Sequence, residues 1–307
     1  MRIVFMGTPE FAVAGLRALL QDGQEVAGVF TQPDRPKGRG NKLTPPPVKE
    51  EALRHGLPVF QPKTLRSPEA LEILRELAPD MIVVAAYGNI LPRDVLTLPK
   101  YGCINIHASL LPEYRGASPI QTAILDGKKV TGVTTMFMDE GLDTGDMLMK
   151  EETPIGENET ADELHDRLAL IGAHLLLRTI RAAEEGTLQR EKQQDSQSSY
   201  APLLTKERSP LCFDKSARQL HDQVRGLSSW PGATAVLCGK KLKIHRTRVV
   251  PGCGQPGQVL SLSPLTVACG EGALEILEVQ PEGKKRMTAE AFLNGLHGVR
   301  MEELTFC

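Results

Sequence analysis

A doubly wound, Rossmann-like and mostly parallel α/β sheet, followed by a smaller C-terminal β-barrel, is the fold class that the sequence predicts. Three observations predict it. The chain opens on a short apolar run that ends in glycine and passes at once into a helix-spaced apolar segment. A fully apolar run, DMIVVAAYG (80–88), has the composition of a strand buried on both faces of a parallel sheet. Past about residue 208, short strand-like segments separated by Pro-Gly and Gly-rich turns take over.

The elements follow in order. MRIVFMG reads as a strand, Thr8 as the N-cap and Pro9 as the first residue of a helix that runs to about Leu20, with Gly23 just past its end. EVAGVFT (25–31) is a second strand, and Val48 to His55 is a helix stopped by Gly56. Ser67 and Pro68 start a helix to about Ala78, ahead of the apolar strand at 80–88. GCINIHAS (102–109) is the next strand, and Ser118-Pro119 opens a short helix to Leu125. VTGVTTMFMD (130–139) and GDMLMKEETPI (145–155) pair as a hairpin around GLDT. Thr160 and Glu163 have the spacing of a capping box, heading a long helix with Leu164, Leu168, Ile171 and Leu175 on one face and Gly186 at its end. Strands alternating with helices of these lengths argue for the doubly wound sheet.

The 307 residues suffice for two domains. Residues 190–207 are polar, rich in Gln and Ser, and read as a linker between a first domain (1–189) and a second (208–307). After a helical stretch from Ser216 to Arg225, the second domain offers the strands WPGATAVLCG, KLKIHRTRVV, GQVLSLS and LTVACGEGALEILEVQ, for which an OB-like barrel is the preferred arrangement.

Hydrophobic residues at 41% and charged residues at 24% are ordinary globular usage, which excludes disordered, collagen-like and coiled-coil classes. No apolar run approaches the ~18 residues of a membrane span, and the opening run breaks too early for a secretory signal, so a cytoplasmic protein is expected. Cys103, Cys212, Cys238, Cys253, Cys269 and Cys307 form no C-x-x-C pair and have no His at ligand spacing, so free thiols and no metal are expected. The chain has neither G-x-G-x-x-G after its first strand nor a phosphate-binding G-x-x-x-x-G-K-[ST], which disfavours dinucleotide and nucleoside triphosphate chemistry.

Asn105 and His107 stand two apart in a strand. Alternation therefore projects them to one face near the C-terminal edge, where α/β sheets bind ligands. An amide offers fixed N–H donors to a developing oxyanion, and a neighbouring imidazole takes or gives a proton, a pairing suited to attack on a carbonyl. In GLDTGDM (141–147), either Asp143 or Asp146 is placed to return across the sheet end and orient His107. The alternatives are a hydrogen-bonded structural histidine and solvated turn acids.

Asn105-x-His107-x-Ser109-Leu110-Leu111-Pro112, the following Arg115-Gly116, and Gly141-Leu142-Asp143-Thr144-Gly145 together resemble the signature of the folate-dependent formyltransferases. FMGTPEFA, QPDRPKGRG (32–40), SWPGA (229–233) and GKKRMTAEAFLNG (283–295) carry the resemblance over nearly the whole chain, toward the members with a second domain. The resemblance implies transfer of a formyl group from 10-formyltetrahydrofolate, as cosubstrate, to the α-amine of initiator methionyl-tRNA in translation initiation. It implies Asn105, His107 and Asp143 as the catalytic three. It also implies a folate cleft formed by Tyr87, Gly88, Asn89, Ile90 and Leu91 with Ser109, Leu110, Leu111 and Pro112. The alternative acceptor is a small amine, an amino sugar nucleotide or a glycinamide ribonucleotide; a non-catalytic RNA-binding protein is a third reading.

Two basic elements favour the large acceptor. Residues 34–49 carry five Lys or Arg against one Asp in a connection too long to be idle. The resemblance places it at the tRNA acceptor end, with Arg35, Lys37, Arg39 and Lys42 as contacts and Arg39 foremost. KKLKIHRTR (240–248), as a strand, sets Lys241, Lys243 and His245 on one face and Leu242 and Ile244 on the other, with Arg246 and Arg248 near the end. Residues 206–307 hold 14 Lys and Arg against 10 Asp and Glu, whereas residues 1–205 hold 22 against 28. Aromatics at 4% leave backbone and shape as the expected means of reading RNA.

Overall fold

The computed structural model describes residues 1–37, 42–237, 239–295, 301 and 304–306, with Lys37 as backbone only. It divides into two compact units: Met1–Pro119, Val130–Pro154 and His165–Ala201 form the first, and Ile120–Lys129, Ile155–Leu164 and Pro202–Cys307 the second.

The chain begins with β1 (Arg2–Gly7), α1 (Glu10–Gln21), β2 (Glu25–Phe30), the short β3 (Arg35–Lys37) and β4 (Lys42–Thr44), α2 (Pro47–Arg54) and β5 (Val59–Phe60). It continues through α3 (Pro68–Leu77), β6 (Met81–Ala85), α4 (Arg93–Leu96), β7 (Cys103–His107), β8 (Arg115–Gly116), α5 (Pro119–Leu125), β9 (Val130–Phe137), β10 (Met147–Pro154), α6 (Ala161–Glu184) and β11 (Tyr200–Ala201). One seven-stranded sheet runs β10-β9-β7-β6-β1-β2-β5. From β7 to β5 its pairs are parallel, and β9 joins β7 antiparallel. Strand order reverses at β1, which lies between β2 and β6, so the crevice for a ligand opens past Gly7 and Ala85.

The apolar run at β6 is continuous because that strand is buried throughout; β7 is buried throughout as well, and carries Asn105 and His107 within it. Ser67 caps α3 by accepting from the Ala70 amide, and Thr160 and Glu163 close the expected box at α6. Thr8 is not a cap: α1 starts one residue later, with Pro9 at the N-cap, and the Thr8 hydroxyl donates to the Tyr87 carbonyl at 2.9 Å. That bond joins the ends of β1 and β6. Gly7 lets α1 come close to the end of β1, since a Cβ there would stand 2.6 Å from the Ala12 Cβ.

The stretch expected as a linker is structured in its first part. β11 pairs with β8 in parallel, and residues 190–201 group with the first unit. The polar composition that suggests a linker serves side-chain bonds to neighbouring loops instead.

In the second unit, α7 (Ala217–Gly226) precedes β12 (Ala233–Leu237), β13 (Lys240–Val250), β14 (Val259–Leu262), β15 (Leu265–Ala268), β16 (Ala273–Pro281), β17 (Met287–Thr288) and α8 (Ala289–Leu293). The antiparallel order is β12-β13-β16-β15-β14, with β17 on β16. Bridges from Leu237 to Phe306 and from Gln258 to Thr305 set residues 305–306 between the two outer strands and close the barrel. Leu220, Leu242, Val267, Leu274 and Val279 are among its fully buried core. Arg225, itself buried, donates to Asp222 and to the carbonyls of Gly156 and Glu159, and His221 bonds Thr247 and the Glu157 carbonyl. This network ties α7 to residues 155–164 of the same unit.

The strand alternation expected for β13 holds only to Ile244. Register shifts around Arg246 break it, so Arg246 and Arg248 face outward with Lys241 and Lys243 while Thr247 turns in. The bulge makes one continuous basic face where simple alternation would split it.

Candidate active site

β7 ends at His107, with Asn105 two residues before it, paired across to Thr134 and Met136 of β9. The two are only 6% and 8% exposed. His107 Nε2 lies 2.9 Å from the Tyr114 carbonyl. A carbonyl only accepts, so Nε2 carries the hydrogen and the neutral ring keeps its lone pair at Nδ1. Nδ1 faces Asp143, whose Oδ2 is 3.6 Å away.

Asp143 comes from the loop joining β9 to β10. Its backbone is left-handed, φ 53°, and the same Oδ2 accepts the Gly116 amide at 2.9 Å. Gly145 makes the loop's tight return: a Cβ there would lie 1.9 Å from the Phe137 carbonyl oxygen. Asp146, the other acid considered for this place, is held by Arg190 at 3.0 Å. Asp143 is thus the carboxylate that meets His107.

Among the described residues nothing is hydrogen-bonded to the Asn105 side chain, which leaves its donors for a ligand oxygen. The turn after β7 is pinned on both sides. Thr134 Oγ1 donates to the Ser109 carbonyl at 2.7 Å and accepts from the Leu111 amide, while Ser109 Oγ donates to the Glu113 carbonyl at 2.6 Å. Ser109 and Leu111 are therefore buried builders of the turn, and Leu110 and Pro112 are its partly exposed members.

Tyr87 to Leu91 follow β6 at the crevice, and they divide in the same manner. Tyr87 and Leu91 are buried in the apolar cluster around Phe30, Leu65 and Leu74. Gly88, in a left-handed turn of φ 81°, and Ile90, 72% exposed, face outward. Between them the Asn89 amide nitrogen is buried without a partner among the described residues, a donor beside exposed backbone that suits a flat, heteroatom-rich ring. The Tyr87 carbonyl is taken by Thr8 and by Gln32 Nε2 at 3.3 Å.

Among the expected tRNA contacts, Arg35 and Lys42 lie exposed on the β3–β4 hairpin, whose base is fixed by Lys49 on Asp34 at 2.8 Å. Arg39 lies outside the described residues, as does the Lys37 side chain. Lys241, Lys243, Arg246 and Arg248 are exposed on β13. Cys103, Cys212, Cys253 and Cys269 are free thiols; burial pushes Cys103 up to about 12 and Cys269 to about 11, while Cys238 and Cys307 are outside the described residues. Among the described residues no group of three or more His, Cys, Asp or Glu is placed to hold a metal, and no helix is long and apolar enough to cross a membrane.

Two partners of the site have no sequence signal. The Tyr114 carbonyl is a backbone atom, and Gln193, which donates to the carbonyls of Asp143 and Gly145, sits in an unpatterned polar stretch.

Residues 1–180 match the family described as formyl transferase, and residues 203–297 match the formyl transferase C-terminal domain; the chain belongs to this family. Among its relatives, the methionyl-tRNA formyltransferase of Pelobacter propionicus is 54% identical over 295 residues, covering 95% of this chain and 92% of the relative. That of Caldanaerobacter subterraneus is 52% identical over 299 residues, covering 96% and 97%. In structure the chain is similar to WlaRD, a sugar 3N-formyl transferase, with a TM-score of 0.68 at 19% identity over 93% of this chain and 99% of that one. It is also similar to HypX from Aquifex aeolicus in complex with tetrahydrofolic acid, with a TM-score of 0.64 at 18% identity over 97% of this chain and 48% of that one. These two likenesses concern the fold.

Proposed function

We propose that this chain transfers the formyl group of 10-formyltetrahydrofolate to the α-amine of methionine on initiator methionyl-tRNA, with Asn105, His107 and Asp143 as catalytic residues. The observation that carries the reading is a free, buried amide beside an imidazole whose Nε2 donates to a carbonyl and whose Nδ1 faces a carboxylate. The near full-length likeness to methionyl-tRNA formyltransferases supports the choice of acceptor.

The uncharged amine attacks the formyl carbon. A C–N bond forms and the carbonyl π pair moves onto oxygen, where the Asn105 N–H donors meet the new charge. The amine proton passes toward His107 Nδ1, and the imidazolium so formed is stabilised by Asp143. Collapse breaks the bond to folate N10, which takes up a proton and leaves as tetrahydrofolate. Tyr114 and the turn after β7 hold the ring while this happens, so the proton enters at one nitrogen only. The folate lies along Gly88 to Ile90 with Leu110 and Pro112, and Tyr87, Leu91, Ser109 and Leu111 support that surface from below. Exposed cations at Arg35 and Lys42 and on the outward face of β13 meet tRNA phosphates, joined by Arg39, which lies between the first two in sequence.

Competition between methionyl initiator tRNA and free amines, including an amino sugar nucleotide, in one assay with 10-formyltetrahydrofolate tests the acceptor. N-formylmethionyl-tRNA in amounts equal to the tetrahydrofolate released is the expected result. Turnover of a free small amine with none on tRNA contradicts it, and saturable tRNA binding without transfer indicates a binding protein.

A further inference from the structure

We infer that Gln193 is a positioning residue for formyl transfer, one side chain that fixes the Asp143 loop against the loop carrying Tyr114. The inference rests on the reading of Asn105, His107 and Asp143 as the catalytic set. The partners of His107 come from two different loops: the carbonyl of Tyr114 at Nε2, and the carboxylate of Asp143 at Nδ1. Both loops place a non-glycine residue in the left-handed region, Tyr114 at φ 61° and Asp143 at φ 53°. Such conformations persist only where surrounding bonds over-determine them.

Gln193 supplies those bonds at Asp143. Its Nε2 donates to the carbonyls of Asp143 and Gly145, both at 2.8 Å. Its Oε1 accepts from Arg115 Nε at 2.9 Å, one residue beyond Tyr114. Arginine only donates, so the amide is held one way round and both hydrogens go to the Asp143 loop. The next residues of the same stretch complete the clamp: the Tyr114 amide donates to Ser199 Oγ at 2.8 Å and the Arg115 amide to the Ser199 carbonyl at 2.9 Å. The stretch after α6 thus runs along the loop on one side of His107 and reaches, through Gln193, the loop on the other.

The test is a double-mutant cycle read by single-turnover formyl transfer at saturating substrates, with Gln193→Met, Gln193→Glu, Asp143→Asn and the Met–Asn double variant. Gln193→Met keeps the length and removes the bonds; it is expected to slow transfer ~10- to 100-fold, the effect of a misplacement near 1 Å, with KM for tRNA changed less than about threefold. Gln193→Glu still satisfies Arg115 but sets oxygen against two carbonyl oxygens, and is expected to be at least as slow. A residue acting through Asp143 has nothing left to position once that carboxylate is gone, so the double variant should be no slower than Asp143→Asn alone. Gln193→Met within about threefold of wild type overturns the inference, and so does a double variant slowed by the full product. Asp143→Asn within about threefold of wild type overturns the catalytic assignment itself, and the inference with it. Thermal melts identify a variant that fails to fold; should Gln193→Met do so, Gln193→Glu carries the same reading.

Discussion

The end of β7 and the outward face of β13 both present polar side chains, and they hold them in opposite ways. His107 is bonded at one nitrogen and faced by a carboxylate at the other, and that carboxylate is itself tied to the Gly116 amide. On β13, Lys241 and Lys243 are exposed and, among the described residues, make no ion pair or hydrogen bond; Arg246 and Arg248 reach Glu163 and Glu275 only from largely exposed positions, 53% and 61%. Proton transfer at a single atom depends on angles, so its groups are fixed from several sides. Attraction to phosphates depends on charge within a screening length of about 8–10 Å and tolerates a loose side chain. The difference teaches where substitution should hurt the rate and where it should hurt only binding.

Asn105→Ala should sharpen the contrast with a ~10²- to 10³-fold loss in single-turnover rate and little change in tRNA affinity, the scale of removing one oxyanion donor. A wild-type rate would move the oxyanion site elsewhere.

Glu51 extends the same distinction to stability. Its hydrogen bonds from Arg17, at 2.6 and 2.8 Å, lead the causes that draw its carboxyl from 4.5 down to about 2, against burial that pushes it up; the Arg17 charge, His55 and Arg54 add to the fall. The folded pKa lies below the unfolded one, so the stabilisation is full above pH 4.5 and is lost as pH falls toward 2. Glu51→Gln should cost about 2 kcal/mol at pH 7 in a denaturant titration and flatten the acid limb in that window.

Replacing Lys241 and Lys243 together by Gln should raise KM for tRNA about tenfold near 0.1 M salt and lower the salt slope of binding by about two, with kcat unchanged. A fall in kcat at saturating tRNA would break the comparison. The smallest effect belongs to Tyr87→Phe. Burial raises the pKa of this hydroxyl, and the neighbouring Asn89 side chain pulls the other way without closing a hydrogen bond. Losing it should change stability by less than about 1 kcal/mol in either direction, measured by thermal melt.

Much of the fold was legible because its signals are local. Ser67 caps its helix, the Thr160–Glu163 box forms, and alternation carries Asn105 and His107 to one strand end as expected. What was not legible depends on partners distant in sequence. Thr8 reads as a cap, but its hydroxyl is taken by Tyr87, 79 residues on. The resemblance implies Tyr87 and Leu91 among the cleft residues; it does not reveal that packing sets their side chains in the apolar cluster and leaves Gly88 and Ile90 exposed. The register shifts in β13 lie in its pairing with β16, so KKLKIHRTR offers Arg246 and Arg248 as part of the basic patch but not the face they take. Gln193 carries no periodic signal at all, because bonds from a side chain to backbone carbonyls constrain neither hydrophobicity nor spacing.

The central claim, that the chemistry belongs to the end of β7, is tested most directly by the single-turnover rate of His107→Ala at saturating 10-formyltetrahydrofolate and methionyl initiator tRNA. A fall of ~10²- to 10⁴-fold, while the Lys241 and Lys243 double variant keeps the wild-type rate, is the predicted result. A His107→Ala rate within about threefold of wild type would contradict it.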